Sequence, residues 1–166
     1  MKKLFALVLA ATLTVCMIVF ASAASVGSPV AETASVPEVV MDEENTGIII
    51  ELIPTEEAEK QTEEKQAAFA AAQDALEEAA PEDMATISFF YLRAFSVDES
   101  GEMTEITEPI EVTLKIDEIT DIEAITEVTV MQFVEGEWGE LETVMNPDGT
   151  ITIKDVVEGP VAIFAK

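Results

Sequence analysis

The chain has 166 residues, with 34 acidic side chains against eight basic ones, a single cysteine and no histidine. A formal charge of −26 repels phosphate backbones and anionic lipid headgroups, which excludes nucleic acid as a partner. The absence of histidine, with the lone cysteine at position 16, removes the usual general bases, thiol nucleophiles and zinc ligands.

Lys2 and Lys3 give a positive start, residues 4–20 form an apolar run interrupted by Thr12 and Thr14, and Ala21-Ser22-Ala23 supplies the small residues a signal peptidase accepts. This predicts a secretory signal peptide over 1–23, cut between Ala23 and Ala24. An uncleaved anchor is the competing reading, because the apolar run is close to the ~20 residues a bilayer core needs. Acylation of Cys16 is disfavoured, since Val15 stands where a small residue is expected. Cleavage removes Cys16, Lys2 and Lys3, so six cations then face 34 carboxylates and the net charge is −28. The mature protein is expected to be secreted, extracellular or loosely associated with the cell surface, and not in the membrane. It has no disulfide to stabilise it in an oxidising compartment.

Residues 24–46 mix small residues, prolines and acids without helical or strand period, and predict a disordered tether. Residues 47–53 read Gly-Ile-Ile-Ile-Glu-Leu-Ile and stop at Pro54, a strand signal. Thr55 is a candidate N-cap, Glu56 and Glu57 suit the positive end of a helix dipole, and Pro81 closes the segment. Within it, Glu56 and Lys60 pair at i, i+4. Ala68, Phe69, Ala72, Ala75, Leu76 and Ala79 make an apolar stripe confined to the second half, so the helix is expected to dock by that half. Residues 47–84 thus form a strand and a helix that dock on the domain formed by residues 85–166.

From residue 85 the period changes to two. Residues 86–97 are apolar on both faces in their middle and predict a central strand. Residues 110–116 alternate apolar and polar, with one face buried and one wet. Further strands are expected at 128–134, 141–145, 150–154 and 161–166. Turns are expected at Gly136-Glu137-Trp138-Gly139, at Asn146-Pro147-Asp148-Gly149 and at Gly159-Pro160. The fold class is mainly β: an antiparallel, immunoglobulin-like β-sandwich over 85–166, preceded by one strand and one α-helix.

Pro109, Val112, Thr113, Phe133, Gly136, Trp138, Leu141, Asp148, Gly149, Thr150 and Thr152 occur at spacings similar to those of a known module. The chain resembles the β-sandwich modules of extracellular surface proteins of Gram-positive, largely anaerobic gut bacteria. The likeness covers residues 48–166 and rests on turn and core residues, so it implies a fold and a cell-surface setting but no activity. Such modules often sit in long chains with a wall anchor. This chain shows no LPxTG-like motif after its last strand, so it is expected to be a stand-alone copy.

No lysine past the leader has a serine three residues before it, which disfavours a serine–lysine nucleophile. Carboxylate pairs are abundant, but seven of the eight aromatics past the leader fall on the predicted helix or strands, and only Trp138 on a turn. No catalytic residue, cofactor or metal ligand is assigned. Asp98-Glu99-Ser100-Gly101-Glu102 and the stretch containing Asp117, Glu118 and Asp121 place hard oxygen ligands in loops. Neither has the spacing of a helix–loop–helix calcium site, and both read first as solvated acidic turns. Trp138 reads as a cover for the end of the sandwich core, with carbohydrate stacking as the alternative. The expected function is therefore a secreted, non-catalytic interaction or structural module at the bacterial surface, its partner a protein or a glycan. A small calcium- or glycan-binding protein is the alternative. Intact-mass analysis of protein recovered from culture medium should show a chain beginning at Ala24; a membrane-bound species retaining Met1 would contradict the leader assignment.

Overall fold

The computed structural model describes residues 36–40, 47–116 and 125–166. The expected leader, the expected cleavage site between Ala23 and Ala24, most of the segment read as a tether and the acidic stretch 117–121 lie outside them. Among the described residues, ten strands form two antiparallel sheets, with one helix on the outer face of the larger sheet. The smaller sheet has the order β1 (Glu38–Val40), β5 (Ile110–Lys115), β9 (Thr150–Val156), β8 (Thr143–Met145). The larger has the order β2 (Ile48–Pro54), β3 (Ala85–Val97), β10 (Gly159–Ala165), β6 (Val128–Val134), β7 (Glu137–Leu141), with β4 (Met103–Glu105) paired to the far end of β3.

β3 is the reason for this layering. Phe90 and Leu92 point into the sandwich with Val112, Leu114, Val130, Ile151, Ile153, Val161 and Ile163. Phe89 and Tyr91 point the other way, among Ile53, Phe69, Ala72, Leu76, Phe133 and Phe164. Side chains alternate across a strand, so a strand apolar on both faces needs a cover on each side. α1 (Glu63–Ala79) supplies the outer cover through Phe69, Ala72 and Leu76. β10 alternates in the same way, Val161 and Ile163 inward, Ala162 and Phe164 towards the helix.

The helix is shorter than its sequence suggests. Thr55–Lys60 forms a 3₁₀ segment, Gln61 is extended, and Thr62 caps α1. The chain offers two Thr-Glu-Glu starts, and the second wins because the docking stripe begins only after it. Gln66 donates to the carbonyls of Glu59 (3.0 Å) and Gln61 (2.8 Å), fixing the joint. Lys60 therefore pairs with Glu57 at i, i+3 (2.9 Å) and not with Glu56, as the tighter 3₁₀ pitch requires.

Two further corrections concern the tether and one turn. Residues 38–40, placed in the disordered segment, form β1 and pair with Thr113, Leu114 and Lys115 of β5. Val39 packs against the sandwich core, a gain that composition averaged over the whole segment conceals. The loop between β6 and β7 is only Glu135 and Gly136, with φ of 53° and 92°, which is the two-residue turn that matches strand twist. Trp138 therefore stands on β7 opposite Phe133, not in a turn. β2 is likewise an integral strand of the larger sheet, in continuous register with β3 from Ile48↔Ser96 to Pro54↔Phe90. The Asn146–Gly149 turn forms as expected: Asn146 N–H donates to the Thr150 carbonyl (2.8 Å), Gly149 N–H to the Asn146 carbonyl (3.1 Å), and Gly149 takes φ 87°.

Leu114 is fully buried between the sheets. Leu114→Ala should destabilise the fold by about 2–5 kcal/mol, whereas Val144→Ala, on the exposed face of β8, should stay within ~0.5 kcal/mol. Urea denaturation of both variants checks the assignment of core and surface, and equal losses would refute it.

Candidate functional site

Among the described residues, the richest group of paired ionisable side chains lies where the start of α1 meets the outer face of the larger sheet. Lys65, in the first turn of α1, projects its ammonium onto Glu158, in the β9–β10 connection, and onto Glu105 of β4 (3.2 Å). Arg93 of β3 reaches Glu105 (3.2 Å) and Glu51 of β2 (3.4 Å), and lies 4.0 Å from Glu158. The Tyr91 hydroxyl donates to Glu158 Oε1 at 3.2 Å. Lys65 lies 5.7 Å from the centre of the Tyr91 ring, and Arg93 lies 4.6 Å from that of Phe95. Five separate segments of the chain meet here, around a shallow cleft lined by Glu64, Lys65, Ala68, Tyr91, Glu105 and Glu158.

The electrostatics follow from that geometry. Burial pushes the Tyr91 hydroxyl well above its ordinary range, and the neighbouring Glu158 charge adds to the shift, so it remains a proton donor. Desolvation alone would raise Glu105, but hydrogen bonds from Lys65 and Arg93 outweigh it and hold the carboxyl below its usual range. The cluster contains cations, carboxylates and a phenol, each already engaged by another member. It works as an ionic clamp on the helix start. Among the described residues, every buried side-chain nitrogen and oxygen has a hydrogen-bond partner.

The loops singled out for calcium behave differently. Asp98 Oδ1 accepts from Ser100 N–H (2.8 Å), Ser100 Oγ (2.6 Å) and Glu102 N–H (2.9 Å). These bonds, the Ser100 hydroxyl first, hold the Asp98 carboxyl low. Asp148 does the same for its turn, taking the Thr150 hydroxyl at 2.7 Å and the Thr150 N–H at 3.0 Å. Both carboxylates stabilise turns. No group of three or more candidate metal ligands occurs among the described residues, and the loop at 117–121 lies outside them.

Trp138 packs on the helix side of the sheet. Its ring centre is 5.4 Å from that of Phe133 and 6.2 Å from that of Phe89. Its indole N–H donates to the Ala72 carbonyl at 3.2 Å. It covers the helix–sheet interface and not the end of the sandwich, and its polar edge is used inside the fold. The sequence reading missed the clamp entirely. Its only signal was the scarcity of cations, which made Lys65 and Arg93 worth locating.

Compared with known proteins, the chain matches no protein-family model, no curated protein and no solved structure.

The pH behaviour separates two opposing effects. Glu105, Asp98 and Asp148 have lowered folded-state values, so their stabilisation is complete above their ordinary values of 4.5, 3.8 and 3.8 and is lost as pH falls through the lower folded values. Self-repulsion among the many remaining carboxylates has the opposite sign, because screening or partial protonation relieves it. The thermal midpoint should rise from low to moderate salt and from pH 7 towards pH 5, then fall below about pH 4. Glu105→Gln should cost about 1 kcal/mol at pH 7, and that difference from wild type should shrink as pH drops below 4.5. A difference independent of pH would show that the Glu105 charge does not support the clamp.

Proposed function

We propose that this chain is an exported, non-catalytic β-sandwich of immunoglobulin-like class that serves as an interaction or structural module at a Gram-positive cell surface. The observation that carries this reading is the clamp: Lys65, Tyr91, Arg93, Glu105 and Glu158 satisfy one another. These groups hold the helix on the sheet and are committed to architecture. The leader over 1–23 and the resemblance to surface modules supply the setting, while the charge of the mature chain favours a cationic or neutral partner.

The reading is tested with the purified chain 24–166, incubated with whole Gram-positive cells and isolated peptidoglycan, and with a panel of polysaccharide and peptide substrates. It should co-sediment with cells or wall and release no products. A chain that stays in the supernatant, or one that turns over any substrate, would overturn it.

A further inference from the structure

Sheet edges present unpaired backbone groups, and proteins blunt them with short strands, charges, proline or bulges. β1, β4 and β8 have three residues each, and β7 carries Glu137, Gly139 and Glu140. β2 is the least guarded of these edges, since its one charge, Glu51, is paired with Arg93 and its proline stands at the last position. It has seven residues, Ile-Ile-Ile-Glu-Leu-Ile-Pro, without bulge or lysine, and among the described residues it pairs only with β3. The Val97 N–H donates to the Gly47 carbonyl at 2.7 Å. Bonded pairs alternate along an antiparallel ladder, so Ile49, Glu51 and Ile53 bond to β3, and the backbone of Ile48, Ile50 and Leu52 faces the open edge.

The side chains along this edge are incompletely covered. Ile50 and Leu52 lean on the sandwich core while only partly buried, and Ile49 is 44 % exposed on the helix side. An added strand would complete both layers at once. Exposed acids stand beyond one end of β2: Glu56, Glu57 and Glu59 follow Pro54, with Lys60 already held by Glu57. A second copy of this chain carries a like net charge. A cationic segment would meet opposite charge at that end.

We propose that β2 takes up an extended apolar segment of a partner protein as an added strand, with lysine or arginine flanking that segment where it meets the acids that follow Pro54. Backbone hydrogen bonds supply the affinity, and the flanking charges supply register and rate. The proposal rests on the interaction-module reading and gives it a surface.

The probe is a fluorescein-labelled peptide, Lys-Lys-Val-Thr-Val-Ile-Val-Lys-Lys, titrated by anisotropy against the chain 24–166. Ile50→Pro removes an outward N–H without breaking the β3 ladder, and should weaken binding by about tenfold or more. Moderate salt should weaken wild-type binding several-fold. Two versions of the peptide, N-methylated on alternate residues, provide a measure that needs no folded variant: one set should bind and the other should not. Failure of wild type to bind, equal binding by both methylated peptides, or a wild-type dimer abolished by Ile50→Pro would each overturn the proposal, the last in favour of a second copy. In the cell co-sedimentation assay, an Ile50→Pro protein that sediments like wild type would sink the edge proposal alone. A wild-type chain that fails to sediment would sink the module reading, and the peptide titration would still decide the edge.

Discussion

A strand that is apolar on both faces must be covered twice, and the rest of this structure derives from that demand on β3. Its thirteen residues run through the larger sheet with Phe90 and Leu92 on one side and Phe89 and Tyr91 on the other. The smaller sheet covers the first face, and α1 covers the second. Each fully buried side chain of this size contributes about 1.5–3 kcal/mol relative to exposure. Leaving either face open would forfeit much of a net stability that is only ~5–15 kcal/mol for a domain. The aromatic ladder of Phe69, Phe89, Phe133 and Trp138, with centroid separations of 4.8 to 6.2 Å, is the contact between helix and sheet. The Trp138 bond to the Ala72 carbonyl fixes the helix along its axis as well as across it.

The cations are placed at the seams of the fold. Lys60, Lys65, Arg93, Lys115, Lys154 and Lys166 account for all six basic residues after position 3, and each has a carboxylate within 4.0 Å. Lys65 and Arg93 join the helix, β2, β3, β4 and the β9–β10 connection, and they are the least exposed of the six. Exposed pairs such as Lys166 with Asp83 contribute little. The partly buried network holds more, because its charges are hydrogen-bonded to one another and shielded from water. A chain so rich in carboxylates thus uses its few cations where separate elements would otherwise meet acid against acid.

What could be read from the sequence was what depends on period and turn chemistry. The alternation of 110–116 put Val112, Leu114 and Ile116 inside, and they are buried. The two-faced apolar centre of 86–97 made that strand central, and the stripe of 68–76 put the second half of the helix on the sheet. Readings that failed depended on competition between local signals. Two equivalent Thr-Glu-Glu starts left the helix boundary to packing, and two glycines around Trp138 imitated a longer turn than the one that forms. Gly139 is an ordinary strand residue of β7, paired with Gln132. The clamp was invisible because its members are separated by up to 107 positions in sequence, from Glu51 to Glu158, and no local pattern links them.

The excess of carboxylates over cations bears directly on binding. With 34 acidic against eight basic side chains, long-range electrostatics repels anionic encounter partners. Long-range attraction alone gives rate without specificity; a specific complex also needs desolvated apolar contact and a fixed register. The exposed large apolar side chains on the described surface are Val40, Ile49, Met103, Val134 and Val144. Val40, Met103 and Val144 lie on three-residue strands, which offer few backbone groups for pairing. Val134 ends β6 beside Glu135 and Glu137. Ile49 stands on a long, regular edge with the hydrogen-bonding groups of neighbouring residues turned outward, so among the described residues apolar area, open backbone and flanking charge coincide only along β2.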